Sequence, residues 1–189
     1  MKKIINKAIQ QINLKLKDYP KRLKHVYGVA ETAKKLALHY HINEDEAFIC
    51  GLYHDYAKYD EHDYTHLNKE QIDIVKKYPV MYHAYEASYQ LQHHLGINNE
   101  NMIEAITNHV WGRPQMSLLE KIIFVSDMCE PNRNFLDTKI IYNQAIKDID
   151  QAVYMCMKIS LKDLEKRHLK PSLQQLKAFE YYKEIISEK

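Results

Sequence analysis

Residues 43–58, with the sequence NEDEAFICGLYHDYAK, are the stretch from which the rest of the chain is interpreted. Asn43 followed by Glu46 predicts a capping box, which starts a helix directly after the asparagine. The helix is apolar around most of its circumference and extends to about Tyr56. Such a helix is expected to lie in a protein core rather than on the surface.

Two polar residues, His54 and Asp55, stand near the end of this apolar helix. Burying them without partners costs several kcal/mol, so they need one another or something else to bind. Adjacent residues do not share a helix face, but a turn at the helix end can bring them to one point. A metal ion is one reason for such convergence, and a salt bridge or cap that includes Lys58 is the alternative.

Length and composition indicate one all-α domain. The chain has 189 residues, enough for a substantial core, and only four glycines and five prolines. Apolar residues recur with helical spacing throughout the chain. A net charge of +2 indicates no nucleic-acid partner. The three cysteines lack CxxC spacing, which is typical of reduced thiols in a cytoplasmic protein, and no apolar run predicts a membrane span.

Further candidate ligands lie on both sides of the His-Asp pair. His25 lies beside the apolar stripe of a helix predicted over residues 21–40, where by itself it fits a partly buried histidine bonded to a backbone carbonyl better than a ligand. Asp127 lies within another apolar helical run, where a carboxylate is costly unless it is paired or metal-bound. Imidazole and carboxylate ligands without thiolates suit iron, manganese, magnesium or zinc. Together these residues predict a metal site with the pattern H…HD…D.

Other polar residues are placed to serve the same site. His83 stands near the start of a helix predicted over residues 81–95, and His109 ends another helix before a loop with glycine and proline. Both are available for a second metal or for phosphate, although His83 equally fits a histidine that faces water. Arginine binds phosphate through two hydrogen bonds and lysine acts as a point charge. The basic residues placed to do so are Arg22, Lys58 and Arg133.

Three longer motifs point to a known family. They are RLKHVYGV at residues 22–29, HDYAK at 54–58, and MSLLEKIIFVSD at 116–127, which is followed by EPNR at 130–133. With these motifs the chain resembles the HD-domain metal phosphohydrolases, which have a helical fold. Within that group it resembles the bacterial YqeK family, which hydrolyses diadenosine tetraphosphate symmetrically to two ADP. The resemblance extends from about residue 20 to 180, and the segment from 116 to 133 is its specific part.

The resemblance implies a role for each candidate residue. It implies that iron, or manganese or another divalent ion, is bound as one or two ions by His25, His54, Asp55 and Asp127. It implies that the nucleotide phosphates or a second metal are bound by Arg22, Lys58, His83, His109 and Arg133. The residues expected to act in catalysis are Asp55, Lys58, His83, His109 and Asp127. The family usually has threonine after the histidine at 109, where this chain has Val110.

These observations predict one HD-domain helical bundle over residues 1–189. Its metal-site core is expected at about 20–135, and helices at about 138–187 are expected to complete the bundle. The expected partner is a small dinucleoside polyphosphate, with no membrane or nucleic acid, and the chain is expected to form at most a homodimer. The alternatives are another HD-type nucleotide phosphohydrolase and a non-catalytic nucleotide-binding sensor.

Overall fold

The computed structural model describes residues 1–134 and 138–188, which form ten α-helices and one short 3-10 turn at Pro79–Met81. The helices are α1 Lys2–Lys15, α2 Pro20–His39, α3 Glu44–Tyr53, α4 Lys69–Lys77, α5 Tyr82–Leu95, α6 Glu100–Thr107, α7 Leu118–Cys129, α8 Thr138–Lys147, α9 Ile149–Lys166 and α10 Leu173–Ser187. The predicted all-α fold class is therefore confirmed. None of the helices within the described residues is both long and apolar enough to cross a bilayer.

The helices α2 and α3 pack together more extensively than any other pair. Gly51 makes this close approach possible, because a Cβ atom there would lie 2.5 Å from the Cα of Ala30. The facing side chains of α2, such as Ala33 and Leu36, are fully buried. This interface fixes the position of the end of α3 relative to the start of α2.

The end of α3 differs from the prediction. The helix ends at Tyr53 rather than near Tyr56 and continues into tight turns. In these turns Tyr56 N donates to Tyr53 O at 2.9 Å, and Lys58 N donates to Asp55 O at 3.1 Å. Because the regular helix stops before residues 54 and 55, their side chains are free to point toward a common centre.

The start of α3 is also only partly as predicted. Asn43 caps the helix by accepting from the backbone N–H groups of Asp45 and Glu46. The Glu46 side chain does not return the bond to Asn43 but accepts from Nδ2 of Asn99 at 3.3 Å. The predicted capping box is therefore half formed, because Glu46 finds a partner on the segment that starts α6.

The main hydrophobic core joins residues from most of the helices. Its members include the three cysteines, Cys50, Cys129 and Cys156, which are buried and unpaired. A smaller cluster packs where α4, α5 and the loop after α6 meet, and it contains Val75, Tyr85 and Trp111. The candidate polar residues lie close to the main core, which explains their burial.

The sequence of residues 59–67 is a polar loop, which predicts that His62 and His66 are exposed, and for His66 this prediction is wrong. His62 is exposed, but His66 lies 2.6 Å from the Oε2 atom of Glu86 and is only partly accessible. Glu86 is itself buried in α5, so its carboxylate needs a positive or hydrogen-bonding neighbour. His66 also stacks on the ring of Tyr89.

Candidate metal centre

The predicted site residues come from different elements and meet at one place. His25 lies in α2, His54 and Asp55 follow α3, and Asp127 lies in α7. Two further histidines complete the site, one from α5 and one from the loop directly after α6: His83 and His109. The residues that the sequence analysis singled out as metal ligands are thus brought together by the fold.

One group of possible ligands contains His25, His54 and Asp127. Nε2 of His25 lies 3.3 Å from Nε2 of His54. Oδ1 of Asp127 lies 3.1 Å from Nε2 of His25 and 3.8 Å from Nε2 of His54. His54 is fully buried, and the side chain of Asp127 is 20% exposed. The group therefore lies at the edge of the core, where a small solute can reach it.

A second group contains Asp55, His83 and His109. Nε2 of His83 lies 3.1 Å from Nε2 of His109 and 3.1 Å from Oδ1 of Asp55. Nε2 of His109 lies 3.8 Å from the same oxygen. Both histidines are buried, so the prediction left open for His83 is resolved against the water-facing alternative.

Asp55 connects the two groups, because each of its carboxylate oxygens faces one of them. Oδ2 lies 3.7 Å from Nε2 of His25 and 3.5 Å from Nε2 of His54, whereas Oδ1 faces His83 and His109. Oδ1 is buried and accepts no well-formed hydrogen bond from the described residues. The Asp55 carboxylate therefore lies between two sets of imidazoles, and each set belongs to a group that could hold a metal ion.

The hydrogen bonds of the ring nitrogens show what the site can bind. Nδ1 of His54 lies 2.7 Å from the carbonyl of Gly51, and Nδ1 of His109 lies 2.6 Å from the carbonyl of Ile106. A carbonyl only accepts, so each Nδ1 carries a proton and each ring points its Nε2 into the site, where the neutral form of the ring offers a lone pair. Lone pairs and carboxylate oxygens that converge in this way repel one another unless a cation lies between them. The donor set therefore fits divalent metal ions.

Both carboxylates are held in their ionised form. Burial by itself raises the pKa of Asp55, but the neighbouring imidazoles, first among them His54, hold it well below its ordinary value. Burial likewise opposes the ionisation of Asp127, and the contacts with His25 and Arg133 again keep its pKa well below the ordinary value. At neutral pH the site therefore presents two negative charges to a cation.

The imidazoles of the two groups differ in basicity. Burial lowers the pKa of His83 to about 4 and also lowers the pKa of His109. The pKa of His54 is raised, because the attraction of Asp55 and its other partners outweighs burial. His83 and His109 are therefore neutral at neutral pH, the form in which imidazole binds a metal.

The basic candidates surround the carboxylates. Nη1 of Arg22 donates to Oδ2 of Asp55 at 2.5 Å, and Nζ of Lys58 lies 3.3 Å from Oδ1 of the same residue. Arg133 donates to the carboxylate of Asp127 and, through Nε, to its backbone carbonyl at 2.8 Å. Nε of Arg22 is buried and has no hydrogen-bond partner among the described residues. The site thus combines ligands for cations with cationic groups that suit phosphate.

Glu130 lies against the site, although the sequence singled it out only as part of the EPNR motif at 130–133. Oε1 of Glu130 lies 3.1 Å from Nδ1 of His25. A glycine within α2, Gly28, was the available signal, because a glycine inside a helix often marks a close approach by another group. Val110, the departure from the family pattern, is partly buried and packs against the smaller hydrophobic cluster.

The residues from Arg22 to Asn132 match the family model described as "HD domain". The matched segment, residues 22–132, contains all of the possible metal ligands described above. The chain belongs to the HD domain family. The predicted HD-domain helical bundle is confirmed by this match.

Three relatives of this HD domain protein carry the name "Bis(5'-nucleosyl)-tetraphosphatase, symmetrical". The protein of Halalkalibacterium halodurans is 37% identical over 151 residues, which are 78% of this chain and 80% of the relative. The protein of Bacillus subtilis is 32% identical over 148 residues, covering 76% of this chain and 80% of the relative. The protein of Staphylococcus aureus is 34% identical over 164 residues, covering 79% of each chain. The similarity therefore extends well beyond the metal centre.

A solved structure has the same arrangement of helices. It is a "predicted HD superfamily hydrolase involved in NAD metabolism" from Clostridium acetobutylicum, with a TM-score of 0.82 and 29% sequence identity. The match covers 97% of each chain, so the C-terminal helices share the fold as well as the HD domain segment.

Proposed function

We propose that this protein is a metal-dependent hydrolase that cleaves diadenosine tetraphosphate symmetrically into two molecules of ADP. Similarity to three relatives named for that reaction, over most of each chain, supports the substrate and the products. The observation that carries the chemistry is Asp55, whose two buried oxygens each face a separate set of imidazoles. Such a centre suits the hydrolysis of a phosphoanhydride.

We propose iron as the bound ion, held by His25, His54, Asp55 and Asp127. Imidazole and carboxylate donors without a thiolate suit iron and manganese, and His83 and His109 add donors for a second ion on the other oxygen of Asp55. A divalent ion held by these residues would supply positive charge for a phosphoryl oxygen and would make water a better nucleophile. Metal analysis of protein purified without oxygen tests which ion is bound and whether one or two are present.

In the proposed reaction, water attacks one of the two inner phosphorus atoms. The bond between that phosphorus and the oxygen that bridges the inner phosphates breaks, and one ADP leaves with the bridging oxygen. The other half keeps the oxygen of the water and is the second ADP. Charge that develops on the phosphoryl oxygens is stabilised by the basic residues around the site, which are Arg22, Lys58 and Arg133.

The carboxylates serve this reaction as ligands more readily than as proton acceptors. Asp55 and Asp127 have pKa values well below the ordinary value, which makes them weak bases. His83 is a neutral imidazole at neutral pH, and its Nε2 lies 3.2 Å from Nζ of Lys58. When only one ion is bound, we assign His83 and His109 to the phosphates and to the proton that the water loses.

We further propose that the protein works in the cytoplasm on a small dinucleotide. The three cysteines are buried as free thiols, which suits a reducing compartment. The formal net charge of +2 is small, and three basic residues, Arg22, Lys58 and Arg133, lie at the metal centre, where they could bind phosphate.

The deciding experiment is hydrolysis of diadenosine tetraphosphate with separation of the products. The protein is assayed after chelation and again after iron or manganese is restored, beside Asp55→Asn and the control Asp163→Asn, which changes an exposed aspartate far from the ligand set. We expect ADP as the sole product and no product after chelation. Asp55→Asn is expected to lower the rate by about a thousandfold or more, because the contribution of the metal ion to transition-state stabilisation is worth several kcal/mol. ATP plus AMP, or an unchanged rate in Asp55→Asn, would contradict the proposal.

A further inference from the structure

His25 is held differently from the other oriented histidines of the site. His54 and His109 each lie at a helix end and donate from Nδ1 to the carbonyl three residues earlier. Those carbonyls lie in the last turns of α3 and α6, where the helix has no following turn whose backbone N–H groups would bond to them. The helix end therefore supplies an acceptor for these two rings without help from another side chain.

Inside α2 the same solution is not open to His25. The carbonyls one turn before it already accept backbone N–H groups of the helix. Its Nδ1 instead lies 3.1 Å from Oε1 of Glu130, the residue that caps the end of α7. Glu130 is 1% exposed, so its side chain is buried between α2 and the loop that follows α7.

The carboxylate of Glu130 is fixed from its other side by Asn132. Oε2 of Glu130 accepts from the backbone N–H and from Nδ2 of Asn132, both at 2.8 Å. Each carboxylate oxygen is thus required as an acceptor, one by His25 and one by Asn132. A side chain of the same shape with a donor at either position would leave two donors facing each other.

A glycine in α2 provides the space for this arrangement. Gly28 lies one turn after His25, and a Cβ atom there would lie 2.2 Å from Oε2 of Glu130 and 2.8 Å from Nδ2 of Asn132. Glycine is disfavoured inside a helix because it costs conformational entropy on folding. The close approach of Glu130 accounts for its presence at this position.

We propose that Glu130 is a positioning residue for the metal centre and that Gly28, which has no Cβ atom, leaves the space that the Glu130 carboxylate occupies. By accepting the Nδ1 proton of His25, Glu130 fixes the ring orientation and the tautomer that leaves Nε2 as the lone-pair donor. Asp127 of α7 lies 3.1 Å from that Nε2, so a carboxylate faces each nitrogen of the ring: Asp127 at Nε2 and Glu130, the C-cap of α7, at Nδ1. The inference rests on the metal site of the proposed function.

The test is the affinity of the full-length protein for cobalt(II), measured by competition with a chromophoric chelator and followed by the visible spectrum of the bound ion. Glu130→Gln is compared with Glu120→Gln, which changes another glutamate of α7 that is 1% exposed but pairs with Arg113 instead of a histidine. We expect Glu130→Gln to bind cobalt about 10- to 100-fold more weakly than the wild type, with a changed spectrum. Glu120→Gln is expected to keep the wild-type affinity.

Gly28→Ala is the second variant, because it leaves every ligand and Glu130 itself in the sequence. Its new Cβ displaces the carboxylate, so we expect a similar loss of cobalt affinity. Wild-type affinity in either Glu130→Gln or Gly28→Ala would overturn the inference, as would an equal loss in Glu120→Gln. If the wild-type protein binds no metal, the proposed metal site and the inference both fail. If the wild type binds cobalt and the variants keep its affinity, only the inference fails.

Discussion

Arg22 combines two contacts whose consequences can be separated by substitution. One nitrogen of its guanidinium donates to Asp55, whereas its buried Nε has no partner among the residues that the structure describes. A buried donor without a partner is costly, and a phosphate oxygen of the substrate would satisfy it. Lysine keeps the charge at this position but lacks the planar fork that binds two oxygens.

We therefore expect Arg22→Ala to lower kcat/KM for diadenosine tetraphosphate by about 100-fold, which corresponds to about 2.7 kcal/mol of lost transition-state stabilisation. Arg22→Lys is expected to recover part of this loss. Steady-state kinetics with the metal-loaded protein measures both values. Arg167→Ala removes an exposed arginine that pairs with Asp163 and serves as the control. An unchanged KM and kcat in Arg22→Ala would remove Arg22 from the phosphate-binding set.

At the level of single residues, sequence patterns predicted which residues lie close together better than they predicted burial and hydrogen-bond partners. The fold brings His25, His54, Asp55 and Asp127 together because each is a polar residue within an apolar helical run, and such residues need partners. His83 lacked this signal, since the start of a helix is polar in exposed and buried cases alike. Its burial depends on how α5 packs against α6, and no local pattern states that. The ligand and catalytic roles of all these residues stay predictions.

Errors at the same scale have a common cause, namely long-range partners. His66 was expected in solvent because it lies in a polar loop, yet Glu86 of α5 pairs with it. Glu130 was singled out only as part of the EPNR motif, because its partner His25 is 105 positions away in the sequence. A pattern within one segment does not reveal a hydrogen bond to another segment.

Among the elements, the contact between α2 and α3 controls the first group of ligands. Gly51 allows the two backbones to approach, and the approach places Nε2 of His25 within 3.3 Å of Nε2 of His54. A side chain at position 51 would meet the backbone of Ala30, which a small rotation cannot move aside. The helix pair therefore acts as a rigid support for the metal centre.

Gly51→Ala is expected to destabilise the protein by about 1–3 kcal/mol through overpacking and to weaken cobalt binding, because His25 and His54 are moved apart. Gly96→Ala is the matched control. Gly96 has a φ of +68° with open space around the position of a Cβ atom, so alanine there costs about 1–2 kcal/mol through backbone strain alone. Urea unfolding and cobalt titration of both variants distinguish them. Equal cobalt affinities would show that the spacing of the two helices does not set the site.

The start of α3 was predicted more accurately than its end. Asn43 caps the helix as expected, because a cap is a local interaction between residues two or three apart. The end of α3 was placed three residues too late, since nothing in an apolar run marks where turns replace the helix. The division into a metal-site core and completing C-terminal helices stays a prediction.

In the molecule as a whole, the metal centre joins segments that are far apart in the sequence. Its possible ligands extend from His25 to Asp127 and belong to several packed helices. An ion that binds them only in the folded state stabilises the entire fold through linkage. The protein is therefore expected to unfold at a higher temperature with its metal than after chelation.

At a metal concentration of about 100 times the dissociation constant, this linkage corresponds to about 2.7 kcal/mol of stabilisation. Thermal unfolding over a series of cobalt or manganese concentrations measures it, and the midpoint is expected to increase with concentration. Asp55→Asn removes the shared ligand and is expected to lose most of the increase, whereas Asp163→Asn keeps it. A midpoint that does not depend on metal in the wild type would argue against binding at this centre.

The facing ring nitrogens have a consequence for the way the protein exchanges ions. The pKa of His54 is raised, so between pH 6.5 and its folded-state pKa the protein without metal holds a proton on this imidazole that the unfolded chain does not hold. That proton stabilises the fold below pH 6.5, and its contribution is lost as the pH increases through the raised pKa. A metal ion bound through Nε2 of His54 would have to displace that proton.

Hydrogen ions and divalent ions would then compete for Nε2 of His54. Calorimetric titration with manganese in buffers of different ionisation enthalpy is expected to show proton release that declines as the pH increases through the raised pKa of His54. His54→Ala should remove that release. Acidification of the surroundings would then unload the metal, so the rate at which this protein removes dinucleotides would follow both the pH and the metal supply of its compartment.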